Sequence, residues 1–298
     1  IIKGVMILMN KLRDTTFLSY LFTIILWGSA FPMIKIALND FSAESLSAFR
    51  LILATIILLP FVIIKKLPTP ELRDIPVIFI LGFCGFVIYH TALNFGETLI
   101  SAGISGILVS TTPIFSSALA YIFLKERFSK WNWLSSLVAF IGISIISISK
   151  DDYTTINVLG VFIILLASFS ESLYFTFQKK YIEKYGFIAF TLYTIMASSP
   201  FMLIFIPEII NDIHGATFTS IVSVLYLAIF PTIIPYVLLA YIVKSVGVSD
   251  ATMSLYLTPI VSLLLSYLLL DELPTTLAII GGLITLLGVS LSNFFQNT

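Results

Sequence analysis

Apolar residues run through this chain in blocks of about twenty, the length a helix needs to cross a bilayer, and short polar segments separate them. Ten blocks are predicted as membrane-spanning helices: Phe17 to Ala37, Ser42 to Ile64, Ile75 to Phe95, Ser101 to Leu124, Trp131 to Ile148, Asn157 to Gln178, Phe187 to Ile206, Ser220 to Val243, Ser249 to Leu270 and Thr275 to Phe294. Lys3, Lys11 and Arg13 before the first block give it the outline of a secretory signal. It continues past Pro32 into an apolar helix end, however, and removing it would spoil the even span count, so it is read as a span.

Within this pattern one segment recurs. STTPIFSSALAYIFLKE, ending at Glu126, returns as LYLTPIVSLLLSYLLLDE, ending at Glu272. Aligning Thr112-Pro113-Ile114 with Thr258-Pro259-Ile260 also aligns Ser116 with Ser262 and Gly142 with Gly288, at an offset of about half the chain. The expected fold class is therefore an all-α integral membrane protein of ten transmembrane helices, built as two five-helix repeats over residues 1–150 and 151–298. Lys and Arg gather before the first span and in the even-numbered loops (Lys65, Lys66, Arg73; Lys125, Arg127, Lys130; Lys179, Lys180, Lys184; Lys244), whereas the odd-numbered loops hold only Lys150. The positive-inside rule puts both termini in the cytoplasm. Five spans per half is an odd number, so the second repeat is expected to be inverted relative to the first.

Composition narrows the function classes. Hydrophobic residues make up 58% of the chain and charged residues 11%, whereas a soluble domain carries about 25% charged residues. The ten spans use the whole length, leaving no separate soluble catalytic domain. The single cysteine, Cys84, excludes an internal disulfide or a multi-cysteine metal site, and the two histidines form no HExxH. With no GxSxG and no paired intramembrane aspartates, an enzyme is not expected, nor is a cofactor or a resident metal.

Charges inside a membrane are costly, so those that occur point to function or to a structural pair. Arg50 lies about nine residues into the second span, too deep to snorkel; it either anchors a substrate carboxylate or phosphate, pairs with Glu97 or caps helix carbonyls. Lys35, near the outer end of the first span, is expected to snorkel. His90, Asn94 and Glu97 fall at i, i+4 and i+7 on one helical face, which either lines a polar pathway and carries a coupling proton or forms interhelical hydrogen bonds. In the sixth span Glu171, beside Tyr174, either receives a substrate amine, exchanges a proton or neutralises Arg50. Pro113 and Pro259 are expected to break their helices and act as hinges, and Pro231 and Pro235 to bend the eighth span, with Tyr236 and Tyr256 lining a cavity. Glu126 and Glu272 are expected to cap the fifth and tenth helices.

Several motifs, in order over essentially the whole chain, resemble the EamA-like branch of the drug/metabolite transporter superfamily. They are Trp27-Gly28-Ser29-Ala30-Phe31-Pro32, Ala48-Phe49-Arg50-Leu51, the stretch from Tyr89 to Glu97 followed by Ser101-Ala102-Gly103, Thr112-Pro113-Ile114, Leu124-Lys125-Glu126-Arg127, and the echoes Thr258-Pro259-Ile260 and Leu270-Asp271-Glu272. The second half departs from the first: no arginine maps to Arg50 in the seventh span, and the Trp27 motif has no clear copy in the sixth. The resemblance implies a carrier of small metabolites, often amino acids and commonly outward, with a cavity built from spans one, three, four, six, eight and nine. Trp27 joins the cavity candidates on that basis. Expected partners are the lipid bilayer of the inner membrane, a small-molecule substrate and, if transport is coupled, protons; no nucleic acid is expected, and the protein is expected to be a monomer. A nucleoside-like substrate and a facilitative mechanism stay open, as does a non-transporting scaffold or receptor.

Overall fold

The structure, a computed structural model, describes residues 15–126, 130–147, 158–273 and 275–295. The elements in this range are helices: α1 (Thr15–Ala37), α2 (Ala43–Lys65), α3 (Leu72–Leu99), α4 (Ala102–Leu124), α5 (Lys130–Ser147), α6 (Val158–Tyr185), α7 (Phe187–Gly215), α8 (Phe218–Val246), α9 (Val248–Leu270) and α10 (Thr276–Phe295). Eight of them, all but α5 and α10, are long and apolar enough to cross a membrane. Lys3, Lys11, Arg13, Arg127 and Lys150, on which the orientation partly rests, lie outside the described residues.

Two helices run further than their hydropathy. α3 extends to Leu99, and α7 passes the expected end at Ile206 through a 3₁₀ turn, Leu203–Phe205, into an amphipathic segment, Ile206–Gly215. Pro207 does not stop it, because it sits in that segment's first turn, where a missing N–H costs nothing. Polar exchanges tie this corner to the other loops: Asp212 accepts from the Ser42 amide (3.0 Å), while Asp40 accepts from the Thr217 amide (2.9 Å).

Helices from the two halves interleave. α1 packs on α8 and α9, α6 packs on α3 and α4, and α2 meets α7, α4 meets α9 and α5 meets α10. Small residues permit these approaches: a Cβ on Gly28 would come within 2.6 Å of Val261, and one on Gly106 within 2.4 Å of the Ser262 hydroxyl. Between α6 and α4, hydroxyls at four-residue spacing meet carbonyls at the same spacing. Ser168 donates to Leu108 (3.5 Å), Ser172 to Thr112 (3.0 Å) and Thr176 to Ser116 (3.5 Å).

Proline shapes α4 and α9 as expected. Pro113 has no N–H for the Val109 carbonyl, so α4 stops at Val109, turns through Ser110 and Thr111, and resumes at Thr112. Opposite it, α9 tightens to a 3₁₀ turn over Ser254–Leu257 just before Pro259. Pro231 and Pro235, by contrast, leave α8 an uninterrupted helix from Phe218 to Val246. The freed carbonyls find other donors: Leu227 accepts from the Thr232 hydroxyl (2.7 Å) and Pro231 from the Trp27 indole (3.1 Å).

The two recurring segments also end alike. Lys125 and Asp271 both take a left-handed conformation (φ 53° and 55°), and the next amide, of Glu126 or Glu272, reaches back six residues to the carbonyl of Ala120 or Ser266. This turn aims each glutamate at the opposite half. Glu126 accepts from the amides of Val248 and Ser249 (3.1 Å each), from the Ser249 hydroxyl (3.0 Å) and from Lys179 (2.7 Å), while Glu272 lies 3.4 Å from the Gly103 amide. The expected caps on α5 and α10 are thus corrected to α9 and α4. The turn points the carboxylates away from their own following helices and onto the free N–H groups of the partner half.

Glu126 lies beyond the end of α4, outside the apolar spans. Burial raises its carboxyl pKa, but Lys179 and the Ser249 and Val248 amides outweigh that and hold it below the usual carboxylate range. A depressed folded-state pKa contributes stability above the unfolded value of about 4.3 and loses it as pH falls through the folded value. Melting in detergent from pH 7 to pH 3 should therefore show Glu126→Gln less stable than wild type at pH 7, with the difference closing toward pH 3.

Candidate functional site

Where helices of the two halves meet, aromatic residues and a few polar groups close on a small cavity. Its walls include Trp27 and Phe31 of α1, Tyr89 of α3, Ser110 of α4, Glu171 of α6 and Thr258 of α9. The break in α4 and the 3₁₀ turn in α9 bring irregular backbone to this point. The void is about 20 Å³, room for a single water molecule.

Glu171 is 2% exposed, and hydroxyls from both halves hold it. Tyr236 of α8 donates to Oε1 (2.8 Å) and Thr112 of α4 to Oε2 (3.4 Å). Tyr236 also lies edge-on to Trp27 with ring centroids 5.1 Å apart, so it packs behind the two lining residues and joins indole to carboxylate. A π-helical turn in α3, Phe83–Ile88, shapes the layer behind. Within it the Cys84 carbonyl accepts from Ser170 (2.8 Å), and Gly85 leaves space for the Tyr174 ring, which a Cβ would meet at 2.5 Å.

Arg50 is fully buried but does not line the cavity. Its Nε donates to the Thr232 hydroxyl, which in turn donates to the Leu227 carbonyl freed by Pro231. Neither Glu97 nor Glu171 forms an ion pair with it, so the salt bridge considered from sequence is absent, and Nη1 has no hydrogen-bond partner among the described residues. Thr232→Val keeps the shape while orphaning a guanidinium N–H and a helix carbonyl. That should cost about 1–3 kcal/mol, read as a lower melting temperature that Thr232→Ser restores.

The other expected site residues disperse. The face of α3 packs inward rather than lining an open pathway. His90 is enclosed by Phe86, Tyr89 and Tyr236, with neither ring nitrogen hydrogen-bonded among the described residues, and Asn94 ties α3 to α2 through Ser47 (2.8 Å). Glu97 is buried with its carboxylate oxygens unpartnered among the described residues. Lys35 donates to the Glu97 and Ile100 carbonyls (2.6 and 3.1 Å) at the negative end of α3. Tyr174 turns its hydroxyl to Thr194 (3.3 Å), and Tyr256 faces α5, hydrogen-bonded to Ser136 and packed on Ala139. Of the expected cavity residues only Trp27 and Glu171 line the void. Sequence reasoning did not single out Phe31, Tyr89 and Thr258 as its walls, although all three stand inside quoted motifs.

The sequence profile of the EamA-like transporter family matches this chain twice, over residues 15–148 and 158–294. An uncharacterized transporter of Bacillus subtilis, YdfC, is 43% identical over 94% of this chain and 92% of its own length. A protein of Streptantibioticus cattleyicolor named a probable terminal-alkyne amino-acid exporter is 31% identical over 91% of both chains. A solved crystal structure shares the fold with a TM-score of 0.64 at 14% identity, covering 94% of this chain and 97% of the other.

Proposed function

Because the chain belongs to the EamA-like transporter family, we propose that this multi-pass membrane protein is a secondary carrier. It moves a small polar or zwitterionic metabolite, an amino acid or a related compound, outward across the cytoplasmic membrane by alternating access. Glu171 carries the reading. A non-transporting scaffold would fill this position with an apolar side chain, yet here a carboxylate is kept at the meeting point of the two halves, held by Tyr236 and Thr112 and open to a cavity.

Several observations support the finer parts. Two successive matches to one family profile support a duplicated chain with repeats divided near residue 150. The contacts between halves are reciprocal: α1 on α8 and α9 corresponds to α6 on α3 and α4. The exchange of Glu126 and Glu272 supports inversion. Under this reading α5 and α10, 18 and 20 residues long and packed on each other, complete ten spans, with both termini cytoplasmic. The small void supports alternating access, since a metabolite can enter only when helices part, and the breaks at Pro113 and Pro259 are the proposed hinges. The name of the Streptantibioticus relative supports amino-acid export. Glu97 and His90, buried with unpartnered polar atoms among the described residues, are the proposed proton-coupling groups.

Thermal unfolding in detergent with a panel of amino acids, nucleosides and nucleotide sugars tests the substrate class. An amino acid at 100 times its dissociation constant should stabilise the protein by about 2.7 kcal/mol. Stabilisation by nucleosides alone would overturn the assignment.

A further inference from the structure

We propose that the cavity recognises its substrate through the ammonium group alone, so that primary amines without a carboxylate bind as the amino acids do and the matching carboxylic acids do not. This rests on reading the central cavity as the substrate site.

Among the described residues the walls carry one acid and no cation. Glu171 is among the cavity's lining residues, whereas Arg50 gives its Nε to Thr232 and does not line it. An ionised carboxylate has about four lone-pair sites. Two of those on Glu171 are taken, by Tyr236 and Thr112, leaving acceptor capacity on both oxygens. The Ser110 hydroxyl spends its proton on the Gly106 carbonyl (3.1 Å), so its oxygen is also left as an acceptor. Thr258 of α9 is another lining residue, and its buried Oγ1 has no partner among the described residues.

An ammonium group has three N–H donors and no acceptor. Glu171, Ser110 and Thr258 supply one acceptor each, from three different helices. Trp27, Phe31 and Tyr89 complete the walls, and aromatic faces attract cations further. A void with room for one water therefore suits an ammonium head, with the rest of the molecule admitted when the helices part. A carboxylate in its place would face Glu171 with no neutralising cation on the walls.

Two matched sets of compounds test this: phenethylamine, phenylalanine and 3-phenylpropionate, and 3-methylbutylamine, leucine and 4-methylpentanoate. Each is titrated against the purified full-length protein in thermal unfolding. In at least one set the amine and the amino acid should bind within about tenfold of each other while the acid gives no shift, and Thr258→Val should weaken both binders by about tenfold. Glu171→Gln should abolish both shifts while the free protein still melts in one cooperative transition. An amino acid that binds while its amine is silent, an acid that binds, or an amine shift that survives Glu171→Gln would overturn the inference and leave the carrier reading standing. Silence from all six compounds would instead remove the cavity as an amino-acid site, and the inference with it.

Discussion

Glu171→Gln is expected to lower carrier-mediated flux of the transported amino acid in reconstituted vesicles at least about thirtyfold. Breaking a desolvated ion pair by removing one partner costs about 2–5 kcal/mol, a factor of roughly 30 to several thousand in affinity. The substitution is well suited to the question because it changes charge with little change in volume. The glutamine carbonyl can still accept from Tyr236, which now donates to Oε1, so the packing of Trp27, Tyr236 and α6 should survive. Melting temperature and gel-filtration profile are the controls. Glu171→Asp keeps the charge but withdraws it by one methylene from Tyr236 and the cavity, and flux should fall between wild type and Glu171→Gln.

Arg50→Ala should damage the fold itself. The side chain is 1% exposed, and its guanidinium organises the Thr232–Leu227 repair of the proline break in α8. Truncation removes that donor, empties a large buried volume and takes the cation away from a membrane interior that keeps Glu97 and Glu171. Losses of this kind run to about 3–5 kcal/mol. The expected result is a large drop in melting temperature or failure to recover folded protein from membranes. Arg50→Lys should rescue poorly, since an ammonium lacks the fixed Nε geometry that meets Thr232. A purified Arg50→Ala protein that melts like wild type would show that the guanidinium is not a structural keystone and would return it to the list of substrate anchors.

Long apolar runs made the helices legible in the sequence, because an apolar block of spanning length has few alternatives to a membrane helix. Breaks at Pro113 and Pro259 were legible for the same local reason: proline removes a donor wherever it stands. Pro231 and Pro235 read the same way yet do not interrupt α8, since the groups that repair it include Trp27, about 200 positions away in the chain. Glu126 and Glu272 could be recognised as caps from their place at helix ends. Their targets could not, because the amides they reach belong to the other half. The three-residue polar stripe on α3 shows the limit of periodicity: it fixed a common helical face for His90, Asn94 and Glu97 but not what that face meets, and the structure packs it inward. Glu171 was legible as a deep acid, whereas its Tyr236 partner and the aromatic walls depended on how the halves close.

Counterflow in proteoliposomes tests the central claim most directly. Vesicles containing the protein are loaded with an unlabelled amino acid that stabilises it, and uptake of the labelled compound is followed at equal external pH. An alternating-access carrier predicts saturable uptake with a transient overshoot above equilibrium, absent from vesicles loaded with buffer alone and lost in Glu171→Gln. Uptake that equals protein-free liposomes, or that rises linearly with concentration and ignores the internal load, would contradict the account and leave a membrane protein whose buried carboxylate serves packing alone.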